Sequence, residues 1–213
     1  MSVGDLNVPA PAGKEYRKAS ISIQKEEWTQ AREHLQKALA IYPAYSAAYN
    51  DLGAVYARLG DTTHAREALQ QAVNADDHFV PAYINLAKLA VAEHNFLEAE
   101  KLLTSAVAAD PQDAQSLMLL ANVELLAGHF AAALTYCRRV HSLPHDSQAL
   151  VHYIAARALQ QENQPAEAVA EFQTFLHEEP AGPDAEKAKK EMDNLEVAID
   201  QQTREKRNAA LLP

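Results

Sequence analysis

Cysteine is nearly absent from this chain of 213 residues. The one thiol, Cys137, lies between Leu134 and Val140 with no second thiol, so neither a disulfide framework nor a CxxC redox pair can be built. Glycine is scarce, at six, and aromatic residues make up only 7%; strands, which draw on aromatic and β-branched side chains, have little to work with. Basic residues are the minority charge, 19 Lys and Arg against 29 Asp and Glu, for a formal net charge of -10. A phosphate backbone would meet no bulk of positive charge, which argues against nucleic-acid binding. Hydrophobic runs stop short of the roughly 18 residues that a bilayer span needs, and MSVGDLNVPAPAG at the start lacks a basic segment followed by an apolar one. Neither membrane insertion nor a secretory leader is expected.

Alanine is what the chain has in excess: 42 residues, about a fifth of the total. Its small side chain suits helices packed at close range, so an all-α protein is the first expectation. The alanines are not scattered. Ala31, Ala65, Ala99 and Ala133 are 34 residues apart and Ala168 follows after 35. Leu35, Leu69, Leu103, Cys137 and Phe172 keep the same step, as do Ala38, Ala72, Ala106, Val140 and Phe175, and a column of small residues, Ala19, Gly53, Ala87, Ala121 and Ala156, precedes the first by 12. All these columns slip together by one residue in the loop after Val140, which chance placement of alanine does not produce.

Each period is helical twice. In the second, Tyr49, Leu52, Gly53 and Tyr56 recur at i, i+3, i+4, i+7, and after Gly60-Asp61 the residues Ala65, Leu69, Ala72 and Val73 follow at i, i+4, i+7, i+8, again one helical face. Gly60 and Gly128 suit a left-handed helix end, Asn95 with Glu98 resembles a capping box, and Pro165 suits a first helical turn. The small columns let paired helices approach closely, so replacing Ala65 or Ala99 by leucine should overpack that contact.

On these residues the chain resembles the tetratricopeptide repeat (TPR) family, whose unit is a helix-turn-helix of 34 residues. The pattern is met by Tyr49, Leu52, Gly53, Tyr56, Ala65, Leu69 and Ala72, with Asp77 where proline is usual, and again by Tyr83, Leu86, Ala87, Ala99, Leu103, Ala106 and Pro111. The fourth and fifth units match more loosely. The resemblance implies a right-handed superhelical α-solenoid of five TPR repeats, at 12–45, 46–79, 80–113, 114–148 and 149–182, behind a linker or disordered segment at 1–11. After Pro183, Ala185, Ala188, Met192, Leu195 and Ile199 form one stripe of an amphipathic helix, expected at 183–205 as a cap on the last repeat, with a tail at 206–213. A weak homodimer through this stripe is the alternative, at a length short for a coiled coil.

Reactive constellations are few. His141, His145, Asp146 and His152 would be a metal set, but Pro144 interrupts the His141/His145 spacing on one helical face, so a loop of solvated histidines is expected and no metal. Cys137 occupies a core column and reads as a small buried hydrophobe. With no Gly-rich phosphate loop, GxSxG elbow or HExxH helix, neither an enzyme nor a cofactor is expected.

The resemblance implies instead a concave groove, lined by the first helix of each repeat, in which a peptide of a partner docks. Carried onto this sequence, its groove positions on the first helix include Ser20, Ile23 and Gln24 in the first repeat and Ala54 in the second. The candidate contacts are Asn50 and Arg58, then Ile84, Asn85 and Lys88, then Met118, Asn122 and Leu125, and finally Tyr153 and Arg157. The charged residues among the groove positions are Arg58, Lys88 and Arg157, none acidic, on a chain of net charge -10. That contrast points to a partner segment with acidic and aliphatic residues or a free carboxylate. The carboxylate clamp of chaperone-binding family members does not map in register: Asn50 and Ala54 would stand for its first pair, Gln115 and Leu119 for its last. The expected function is a non-enzymatic protein-protein interaction scaffold. The alternative is a structural spacer or self-assembly module of a longer, exported chain, a context that Pro9 to Gly13, read as a linker, would suit. The default compartment is the cytoplasm, with a periplasmic or exported location if the chain is a fragment.

Overall fold

The computed structural model describes residues 8–143 and 149–209. Among them are eleven α-helices and no strand: α1 (Ala10–Gln24), α2 (Trp28–Ile41), α3 (Ser46–Arg58), α4 (Thr62–Ala75), α5 (Val80–Ala92), α6 (Phe96–Ala109), α7 (Ala114–Ala127), α8 (Phe130–His141), α9 (Ala149–Gln161), α10 (Pro165–Glu178) and α11 (Ala185–Ala209). None of these helices is long and apolar enough to cross a membrane. The chain divides into two compact units, Met1–Asp113 and Ala114–Pro213.

Within each unit, consecutive helices pack as hairpins: α1 on α2, α3 on α4 and α5 on α6 in the first, α7 on α8 and α9 on α10 in the second. The sequence columns are the reason. Ala31, Ala65, Ala99, Ala133 and Ala168 are fully buried, and no member of the Leu35 or Ala38 columns is more than 2% exposed. Each large apolar side chain so buried contributes on the order of 1.5–3 kcal/mol.

The turns inside the hairpins repeat as faithfully as the cores. Glu26, Gly60, His94, Gly128 and Asn163 all have positive φ, between 58° and 84°. They follow one another at steps of 34, 34, 34 and 35. The amide after each reaches back to a carbonyl in the helix before it: Glu27 to Ser22, Asp61 to Tyr56, Asn95 to Ala90, His129 to Glu124 and Gln164 to Leu159. This is the bond that closes a Schellman turn. Glycine meets the left-handed requirement without steric penalty at Gly60 and Gly128, asparagine tolerates it at Asn163, and Glu26 and His94 meet it at a greater steric cost. In the second and third hairpins the second helix then starts on its own cap: Asp61 Oδ1 accepts from His64 N at 3.1 Å, and Asn95 Oδ1 accepts from Glu98 N at 3.3 Å while Asn95 Nδ2 donates to Glu98 Oε2 at 2.8 Å.

The ends differ in detail from expectation. Helix α1 begins at Ala10, with Pro9 as its N-cap and Pro11 in its first turn, so the last residues of the expected linker are helical. Proline lacks only an amide that a helix start leaves unbonded, which is why the Pro-Ala-Pro run admits a helix. At the other end, Ala188 is fully buried and Met192 and Leu195 pack against Tyr153, Phe172 and Phe175. The first half of α11 thus covers the last hairpin, while Val197 is exposed.

Between α1 and α2, Glu15 accepts from Lys18 Nζ at 2.6 Å and meets His34 Nδ1 at 2.8 Å. The Lys18 and His34 hydrogen bonds bring its carboxyl from the ordinary 4.5 down to about 2. A depressed carboxylate stabilises the fold above its unfolded value, and that contribution is lost as pH falls through the folded value. Thermal midpoints of Glu15→Gln should therefore depend less on pH between 4.5 and 2 than those of the parent, and added salt should narrow the difference. Equal slopes for the two chains would remove the cluster from the acid response.

Candidate functional site

In the first unit, α1 and α3 enclose an open pocket of about 390 Å³. Ser20, Ile23 and Gln24 come from α1, Asp51, Ala54, Val55 and Arg58 from α3, and Trp28 from the start of α2. Arg58 lies in the last turn of α3, where the helix dipole favours a cation. Its Cζ stands 5.9 Å from the centroid of the Trp28 ring, a cation-π arrangement that fixes the direction of the guanidinium while leaving the residue exposed.

Polar groups beside the pocket are tied together. Tyr16 donates to Asp51 Oδ2 at 2.7 Å, Asn50 Nδ2 donates to Asp51 Oδ1 at 3.3 Å, and Asn85 Nδ2 donates to Asn50 Oδ1 at 2.9 Å. Burial pushes the Asp51 carboxyl upward, against the lowering effect of the Tyr16 and Asn50 hydrogen bonds. The Asn50 side chain, 9% exposed, and that of Asn85 are thus joined to each other across α3 and α5. Ile84 is buried, whereas Lys88, one turn on, is exposed and has no ion pair among the described residues.

In the second unit, Met118 and Asn122 are half-buried on α7 and Leu125 is buried. Tyr153 is also buried, its ring 5.9 Å from that of Phe172 and 5.3 Å from that of Phe175. Its hydroxyl has no hydrogen-bond partner among the described residues. Arg157 Cζ lies 5.9 Å from the Tyr153 ring and Arg157 Nε lies 3.8 Å from Glu191 Oε2 on α11. The capping helix therefore already engages the Tyr153 and Arg157 positions.

Three pocket residues lie outside the groove register drawn from the sequence. Trp28 begins the second helix of its hairpin, Asp51 follows a groove position by one, and Val55 belongs to the core. The single tryptophan of the chain, next to a helix start, is the available signal for the first. Asp51 also places an acid where the register has none, though one held by two hydrogen bonds.

Around Cys137 the arrangement is inert. Burial and the charge of Glu171 push the thiol up to about 12, far from a nucleophile's range. Of the histidine set, His145 and Asp146 lie outside the described residues. His152 is not a solvated loop residue: its side chain is 18% exposed, Nδ1 is 2.6 Å from Glu171 Oε2, and its ring stacks on that of His141 with centroids 4.5 Å apart.

Models of the tetratricopeptide repeat match the sequence over residues 12–77 and 84–147. A search of curated proteins finds no match. Many solved structures share the fold. One is a tetratricopeptide repeat protein from Parabacteroides merdae, with TM-score 0.74 and 15% identity over 92% of this chain and 76% of that one. A second is MamA from Desulfovibrio magneticus, with TM-score 0.69 and 14% identity over 83% and 99%. A third is YrrB, described as a TPR protein with an unusual peptide-binding site, with TM-score 0.66 and 19% identity over 83% and 90%. Hairpin after hairpin on one period, and repeat models matching most of the sequence, mean that this chain belongs to the tetratricopeptide repeat family.

Proposed function

We propose that this protein is an interaction scaffold whose first unit binds a peptide segment with acidic and aliphatic residues. The observation that carries this reading is the pocket between α1 and α3, where Arg58 is held over Trp28 beside Ile23. About 390 Å³ is room for a few side chains, not for a folded domain. An aliphatic group would rest on Ile23 and Trp28, and a carboxylate would take the outer fork of the Arg58 guanidinium in a bidentate pair. Lys88, exposed on α5, extends the positive charge within the same unit. That YrrB, of the same fold, has a peptide-binding site supports the class of ligand.

Arg157 belongs to a different setting, since Glu191 and Tyr153 already contact it. The family positions Met118, Asn122 and Leu125 would add a further docking surface on α7. Self-association through α11 is the weaker reading. Ala188, Met192 and Leu195 already pack on the last hairpin, and beyond Leu195 the helix runs only to Ala209, too few turns for a stable coiled coil.

The test is binding of an array of acidic-aliphatic peptides to the parent and to the Arg58→Glu, Lys88→Glu double variant, with folding checked by circular dichroism. Loss of affinity by about tenfold or more, and weaker binding of the parent at high salt, is expected. Peptides that bind both chains equally well would sink the proposal.

A further inference from the structure

The second unit brings together two imidazoles and a carboxylate from three different helices. His141 closes α8, His152 lies in the first turn of α9, and Glu171 is in the middle of α10. One ligand atom from each falls within 4.8 Å of the others. We propose that His141, His152 and Glu171 form a site for a divalent transition-metal ion of the zinc class.

Comparison within the chain shows why this cluster differs from an ordinary structural pair. His152 and Glu171 are 19 residues apart and join the two helices of the last hairpin at 2.6 Å. Glu15 and His34, also 19 apart, join the first hairpin in the same way at 2.8 Å, with the two residue types exchanged. In the first hairpin the third group is Lys18, whose ammonium holds Glu15 and would repel a metal ion. In the last hairpin the third group is a second imidazole, His141, supplied by the preceding hairpin and stacked on His152. A cation is replaced by a ligand.

The His152–Glu171 pair needs only a small opening, while the exposed His141 ring must turn off its stack on His152 to aim a nitrogen at the ion. Ligands about 2.0–2.1 Å from a tetrahedral zinc are roughly 3.3 Å from each other, so the ion would replace the proton shared by His152 Nδ1 and Glu171 Oε2 while that pair separates by under about 1 Å. Glu178 Oε1, at 3.9 Å from His152 Nε2, stands on the other edge of the ring and would have to close by about 1 Å to hydrogen-bond it, as carboxylates do to orient ligating histidines. Two nitrogens and one oxygen favour zinc, nickel or copper over magnesium or calcium. An ion so held would pin α8, α9 and α10 together.

Zinc ions alone, titrated calorimetrically into the full chain, test the assignment. One saturable site is expected, at least about tenfold weaker in both His141→Ala and Glu171→Gln, unchanged in His34→Ala and His78→Ala, and unable to take magnesium. His141 is exposed and glutamine keeps an acceptor for His152, so neither variant should unfold the hairpin; a circular dichroism spectrum of each confirms it. His78 controls for the group of half-buried Asp76 with exposed Asp77 and His78, the other place where ligand atoms gather among the described residues. Absence of saturable zinc binding, retention of affinity in either ligand variant, or loss in the His78 variant would each overturn the proposal.

Discussion

Phe172→Ala is expected to remove about 3–5 kcal/mol from the stability of the second unit. The ring is fully buried at the centre of the last hairpin, edge-on to Tyr153 and surrounded by Ala149, Ala156, Phe175 and Ala188. Three of these neighbours are alanines, whose side chains cannot swing into the space a ring leaves. The cavity would remain open, which places the cost at the upper part of the range for large-to-small changes. The loss would also free α11, since Met192 and Leu195 rest on the same cluster. Urea unfolding followed by circular dichroism reads the effect as a lower midpoint with loss of helix. A variant that unfolds with the parent would mean that this cluster does not hold the unit together.

Gly53→Val should be comparably harmful to the first unit, for the opposite reason. A Cβ built on Gly53 meets Leu69 Cγ at 2.5 Å, Leu69 Cδ2 at 2.8 Å and the Ala65 carbonyl oxygen at 3.0 Å. Leu69 is itself buried and the carbonyl belongs to the α4 backbone, so α3 and α4 would have to part. Overpacking of this kind costs roughly 1–3 kcal/mol, and valine, with two further methyl groups, belongs at the top of that range. Alanine is the informative companion, because alanine in a helix interior is favoured over glycine by about 1 kcal/mol. Gly53→Ala should therefore lose less than Gly53→Val while still melting below the parent. If alanine raised the thermal midpoint, helix propensity would outweigh packing here and the close approach at Gly53 would carry no energetic weight.

These two residues also mark how far the fold can be read from sequence. Phe172 and Gly53 both sit in columns of period 34, and burial follows the columns because a repeating unit must bury the same face each time. The positive-φ turn is legible at Gly60 and Gly128, where glycine announces it, and more faintly at Asn163. Glu26 and His94 adopt the same conformation with no such signal, being held there by the bonds of the turn and by the packing on either side. The pocket is half legible. Ser20, Ile23, Gln24, Ala54 and Arg58 are reachable by register on the first helix of each repeat, but Trp28 enters from the second helix and no helical register relates it to Arg58. Least legible is the meeting of His141, His152 and Glu171. Along the chain Pro144 argues against a ligand pair at one helical spacing, and only the stacking of α8, α9 and α10 creates a different pair.

The hydrogen bonds from Tyr16 to Asp51 and from Asn85 to Asn50 each span 35 residues, one period plus one. Apolar columns built from alanine and leucine are nearly the same in the first three hairpins, so by themselves they would accept these hairpins in any sequence. The polar pairs would not. A tyrosine in the first hairpin answers a carboxylate in the second, and an asparagine in the second answers an asparagine in the third; an exchange of hairpins would set Tyr16 against Asn85 and leave Asp51 half-buried without its phenol. Oil sets the spacing of the array, while a few half-buried polar handshakes write down the order in which its members stand.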